Sequence, residues 1–218
     1  MDQSDLPEAF RRLRKAAQDW TVPIVSDMAH HHATPYEILI ASLLSARTLD
    51  TVTAVVAPRL FERARTPEQM IELTAPQIER AIHGVAFSET KAKQILALSH
   101  ILLDQYAGRV PDDLDQLDEL PGVGRKIANL VVTDAFGKPG ICVDTHVHRI
   151  TNRWGYVKTK TPDQTELALR EKLPEQYWRE INALLVALGQ NICRPAIPSC
   201  SICPVYDFCE RVGVSKHR

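Results

Sequence analysis

Four of the five cysteines in this 218-residue chain lie within 17 residues of one another near its end. They are Cys193, Cys200, Cys203 and Cys209, with the spacing C-x6-C-x2-C-x5-C. The first twenty residues (MDQSDLPEAFRRLRKAAQDW) have no apolar core of the kind an export signal needs. Thiols gathered so closely in such a chain predict metal ligands rather than disulfides. Four converging thiolates suit zinc or an iron–sulfur cluster, and spacing alone leaves both open. Only Cys200 and Cys203 make a C-x2-C pair, and neither common ferredoxin pattern is present. The tail 192–218 is expected to need its metal to fold. Cys142, in the apolar run GICV, reads as a buried structural thiol.

The rest of the chain shows helical periodicity and no sustained β alternation, which predicts an all-α protein. Helices are expected over Pro7–Gln18, Pro35–Arg47, Ser88–Tyr106 (Ser88 as cap), Asp163–Leu173 and Glu175–Asn191. Another starts at Asp50 or Thr51, with Pro58 kinking or dividing it, and Thr66-Pro67 and Thr74-Ala75-Pro76 open two short ones. His30, His31 and His32 read as a solvated loop before a helix start. No apolar run approaches the roughly 20 residues that span a bilayer, so the expectation is a soluble, intracellular protein with no membrane partner.

A formal net charge of −1 argues weakly against a nucleic-acid binder, but the charge is unevenly spread. Residues 1–120 carry 12 Lys/Arg against 18 Asp/Glu, and residues 121–218 carry 14 against 9. The acidic stretch PDDLDQLDEL (111–120) reads as a solvated helix. A basic half beside an acidic one can guide a polyanion to one face.

Two segments carry candidate chemistry. In LPGVGRKIAN (120–129) two glycines one residue apart, followed by a helical pattern, describe a tight turn opening a helix. Gly122 and Gly124 can take φ > 0 and let another backbone approach closely, and the open helix end suits an anion, most simply a phosphate. Lys126 stands in the first turn, where a helix N-terminus disfavours a cation. A neutral amine is what Schiff-base chemistry requires. VDTHVHRITNRW (143–154) opens a second helix, with Asp144 at its start as a cap or a firmly held reactive carboxylate. His146, His148, Arg149 and Arg153 make that helix basic.

LPGVGRKIAN, VDTH and the four-cysteine tail together resemble the endonuclease III family of the helix-hairpin-helix DNA glycosylase superfamily. PYEILIASLLSARTLD (35–50) and GVAFSETKAKQI (84–95) extend the resemblance over nearly the whole chain. It implies a two-lobed all-α fold: a six-helix domain over 28–138, with the hairpin at about 114–136, and a lobe joining 1–27 to 139–218. DNA would lie in a groove between the lobes. The metal would be a [4Fe–4S] cluster on Cys193, Cys200, Cys203 and Cys209.

The same resemblance implies a base-excision repair enzyme that removes oxidised pyrimidines of the thymine glycol type and cleaves abasic sites by β-elimination. Lys126 matches the catalytic lysine and Asp144 the catalytic aspartate. Leu120, Pro121, Gly122, Val123 and Gly124, with Arg125, match the DNA-gripping hairpin, and His146 and Arg149 are expected beside the DNA. Arg47 stands where the family often has a glutamine that fills the vacated stack, and Phe87 where a leucine wedge is common. Ala86 and Ser88 replace the usual Gly and Tyr. The partner implied is double-stranded DNA with damaged bases or abasic sites, bound by a monomer in a bacterial-type cytoplasm, at the nucleoid. A monofunctional mismatch or adenine glycosylase, which lacks the lysine, and a non-catalytic DNA-binding module are the alternatives.

Overall fold

Helix starts follow the caps that the sequence offers. Thr34, Thr66 and Thr161 each accept a bond from an amide one turn on, and each is followed directly by proline. The computed structural model describes residues 1–20 and 24–218. Residues 21–23, part of the segment assigned to the 1–27 arm, and the side chain of His30 lie outside the described residues.

The described residues form α1 (Leu6–Ala17), α2 (Ile24–His30), α3 (Pro35–Ser45), α4 (Asp50–Phe61), α5 (Pro67–Ile71) and α6 (Ala75–Ala81). There follow α7 (Ser88–Tyr106), α8 (Leu114–Asp118), α9 (Arg125–Asp134), α10 (Thr145–Arg153), α11 (Pro162–Lys172) and α12 (Trp178–Asn191). No strand occurs among the described residues, and none of their helices is long and apolar enough to cross a membrane.

The chain divides into two compact units, Ile24–Lys138 and the pair Met1–Pro23 with Pro139–Arg218. In the contiguous unit α3 is the central helix, its Ile38 to Leu44 run almost wholly buried. α4, α7 and α9 pack around it and bring in Val56, Leu60, Ile95, Leu98 and Val131. In the discontinuous unit the core joins Leu6, Phe10 and Leu13 of α1 to Val147 and Ile150 of α10 and to Leu184, Leu185 and Leu188 of α12. α10 and α12 approach closely at Gly189, where a Cβ would collide with the His146 ring and the Arg149 guanidinium.

Several local expectations are corrected. α4 runs through Pro58 without dividing. Pro58 and Ala54 both face solvent, so water can serve the Ala54 carbonyl that proline leaves unpaired. α3 stops at Ser45 and leaves Arg47 in the left-handed region at φ 58°. Ser88 does not cap α7: Phe87 occupies that position at φ 59°, and Ser88 is the first helical residue. Glu175–Tyr177 is a 3-10 turn, and α12 proper starts at Trp178. α2 is not among the helices that the periodicity predicts. Its last residue is His30, while His31 and His32 form the exposed turn that follows.

Candidate functional site

The acidic stretch supplies the first half of a helical hairpin. Asp113 caps α8 by accepting from the amides of Asp115 and Gln116, and buried Leu117 anchors the short helix. The turn that follows buries Leu120 and Val123 and leaves Pro121 half-buried. Its closing bond runs from the Val123 amide to the Leu120 carbonyl at 3.0 Å.

The two glycines of the turn differ. Gly122 is at φ +80°, and a Cβ there would come within 2.6 Å of the Gln94 side-chain oxygen. Gly124 is extended at φ −108°, and a Cβ on it would meet nothing within 4 Å. Its openness leaves room for a partner's backbone. Gly124 is the N-cap of α9 and brings no side chain to its first amides. The start of α9 therefore suits an anion. Lys126, its second residue, is exposed, and Arg125 beside it is half-buried.

The start of α10 is closed instead. Asp144 Oδ1 accepts from the amides of His146 (2.8 Å) and Val147 (2.9 Å), so the carboxylate is fixed by its own helix. Asp144, His146 and Arg149 share this helix. Arg149 turns onto its own unit: Nε and Nη2 both donate to the Cys193 carbonyl, at 3.2 and 2.9 Å, and Nη2 lies 3.0 Å from His146 Nδ1. Burial pushes the Arg149 pKa down.

A second group of expected residues lines one pocket. Arg47, Phe87 and Gly122 meet there with Leu43, Ala46, Thr90, Lys91 and Gln94. The Arg47 guanidinium lies 5.0 Å from the centroid of the Phe87 ring, a cation–π distance. Phe87 is 60% exposed. Each of the two holds a left-handed backbone that costs a non-glycine residue about 1–2 kcal/mol. Such strain concentrates at functional sites. Sequence reasoning missed Lys91 and Gln94, which back this pair and the hairpin glycine.

The four tail cysteines line one pocket together with Trp154, Leu188, Ile192, Pro198, Arg153 and Arg211. Among the described residues no three His, Cys, Asp or Glu side chains form a group that could hold a metal ion. Arg153 donates from Nη1 to Cys193 Sγ at 3.3 Å and to the Arg194 carbonyl at 2.8 Å. Burial raises the thiol pKa of Cys200, Cys203 and Cys209, that of Cys203 to about 12. Cys142 is buried, as expected.

Comparison with known proteins gives consistent likenesses. The model of the HhH-GPD superfamily of base excision DNA repair proteins matches residues 40–175. Endonuclease III of Thermotoga maritima is 44% identical over 181 residues, covering 83% of this chain and 85% of that protein. Endonuclease III of Bacillus subtilis is 35% identical over 192 residues, covering 85% and 88%. A solved non-covalent endonuclease III–DNA complex aligns with a TM-score of 0.85 at 34% identity, covering 97% of this chain and 96% of that one.

Proposed function

The chain belongs to the HhH-GPD superfamily of base excision DNA repair proteins, in its endonuclease III family, and from that premise we propose that it is a bifunctional DNA glycosylase and AP lyase acting through Lys126. The observation that carries the reading is the exposed lysine directly after an uncapped hairpin turn. Duplex DNA with oxidised, ring-saturated pyrimidines or abasic sites is the proposed substrate. Such a base stacks poorly, which lowers the few kcal/mol needed to flip it out.

A phosphate near the lesion would sit at the Gly124 amide end of α9. Arg47 and Phe87 would occupy the gap left in the stack, Phe87 as an apolar wedge and Arg47 by stacking and hydrogen-bonding to the orphaned base. A phosphate approaching the start of α10 would have to draw Arg149 from the Cys193 carbonyl, so His146 and Arg149 are weaker candidates for DNA contact.

In the chemical step the neutral amine of Lys126 attacks C1′ of the flipped nucleotide. A C1′–N bond to lysine forms as the glycosidic bond breaks, and the base leaves with a proton. Opening of the sugar gives the Schiff base. Loss of a C2′ proton then expels the 3′ phosphate and cuts the strand. Asp144, whose Oδ1 is held by its own helix, is the proposed carboxylate that activates the lysine or stabilises positive charge developing on the sugar.

The four tail cysteines are proposed to hold a [4Fe–4S] cluster. Four thiols and two guanidiniums around one largely apolar pocket suit an anionic thiolate cluster. When bound, the cluster supplies rigidity to residues 193–209 by replacing thiol protons with iron.

Borohydride trapping on an abasic-site duplex, beside a base-release assay on thymine glycol, tests the activity. A covalent adduct that disappears in Lys126→Ala is expected. Base release without any adduct would assign a monofunctional glycosylase instead. Iron content and a yellow-brown colour test the cluster; colourless, zinc-loaded protein would overturn it.

A further inference from the structure

Lys91 is the only lysine in the core among the described residues, 6% exposed, in the second turn of α7. Its Nζ donates to the Leu44 carbonyl (2.9 Å), the Ala46 carbonyl (2.6 Å) and Thr48 Oγ1 (3.4 Å). An ammonium has three protons, and here three neutral oxygens receive them. Two of these are carbonyls at the C-terminal end of α3, the negative end of the helix dipole. Thr48 Oγ1 also accepts from the Ala86 amide at 3.2 Å.

One ammonium thus grips the residue before Arg47 and, through Thr48, the residue before Phe87. Those are the two side chains that stack on each other from left-handed backbones. Burying a charge opposite uncharged acceptors is costly, and an apolar side chain of similar length would fill the same space more cheaply. Burial also lowers the Lys91 pKa to about 8. What the charge uniquely does is tie two separate loops to one point.

We propose that Lys91 is a positioning residue that latches the Ala46–Thr48 and Ala86–Phe87 segments together, so that Arg47 and Phe87 enter a duplex as one preformed wedge. This rests on the DNA-repair reading above. It adds the residue that sets how the protein discriminates the base opposite the lesion.

The test uses the full-length, iron-loaded protein, with Lys91→Met and the nearly isosteric Thr48→Val, which removes the hydroxyl shared by Lys91 and the Ala86 amide and leaves Lys91 its two carbonyl acceptors. Trapping rates are compared on duplexes with an abasic site opposite each of the four bases and opposite a baseless spacer. Opposite a base, both variants should lose about 100-fold, the scale of a roughly 1 Å misplacement, and their preference among opposite bases should flatten. Opposite the spacer, where no orphaned base needs filling, the loss should be far smaller. Amide hydrogen exchange at residues 46–48 and 86–87 should speed up together in both variants. Equal losses on all duplexes, no loss, or unchanged exchange would overturn the latch. If Lys91→Met does not fold, Thr48→Val decides alone. Wild-type protein that traps on no duplex would instead remove the lyase reading, and the exchange result would still judge the latch.

Discussion

α9 and α10 are short helices of similar length whose first turns are built in opposite ways. α9 starts at a glycine that offers no side chain to its amides, and its second residue is an exposed lysine. α10 starts at an aspartate whose Oδ1 takes two of its amides. The N-cap of α10 supplies an acceptor for its first amides and the N-cap of α9 supplies none. An open start can receive a phosphate and holds Lys126 beside it, whereas a closed start immobilises a carboxylate. The proposed nucleophile and its proposed helper are thus both fixed by helix-end geometry, in different units of the chain.

Substitutions can break this comparison at either end. Lys126→Ala should lower strand cleavage at an abasic site by about 10⁴-fold or more, as loss of a covalent nucleophile does, with unchanged thermal stability. Calorimetry beside a gel-based cleavage assay checks both halves. Asp144→Asn keeps an acceptor for the cap but removes the charge. It should cost about 10²–10⁴-fold in rate with little change in Tm. Asp144→Ala should add about 1 kcal/mol of destabilisation to the same rate loss. If Asp144→Asn keeps wild-type stability, Asp144→Ala loses about 1 kcal/mol and both retain their rates, Asp144 is a cap alone.

The hairpin glycines give smaller effects. Gly122→Ala forces φ +80° on a residue with a Cβ and should cost about 1–2 kcal/mol by denaturant titration. Gly124→Ala meets open space at an ordinary φ and should stay within about 0.5 kcal/mol of wild type. Its effect should appear in DNA binding. Because an amide contact neutralises no phosphate charge, affinity should fall with the log–log salt slope nearly unchanged, measurable by anisotropy titration at several salt concentrations.

Both helix starts are legible in the sequence because their signals are local. A G-x-G turn and an aspartate before an apolar-periodic run need no tertiary information. Gly122 and Gly124 look equivalent in sequence, and only the approach of α7 through Gln94 separates them. Lys91, in SETKAKQI, carries no local signal that separates it from exposed Lys93; its burial follows from how α7 packs across the end of α3. Arg149 counts toward a basic surface in sequence, yet close packing of α10 on α12 at Gly189 brings it onto the Cys193 carbonyl. Pro58 reads as a break, and solvent on its side of α4 makes it harmless. In each case the missing information is which face a side chain meets once distant helices have packed.

The discontinuous unit also sets an order of assembly. α1 buries Phe10 and Leu13 against α12, whose last residue is Asn191. At about 5–20 residues per second of synthesis, α1 must wait roughly 10 to 30 s on the ribosome for that partner. Ile24–Lys138 is contiguous, so all of it is synthesised before that partner. The hairpin with Lys126 therefore precedes the unit that carries Asp144 and the cysteine loop, and a nascent chain interrupted between them keeps its amphipathic first helix exposed to chaperones and proteases.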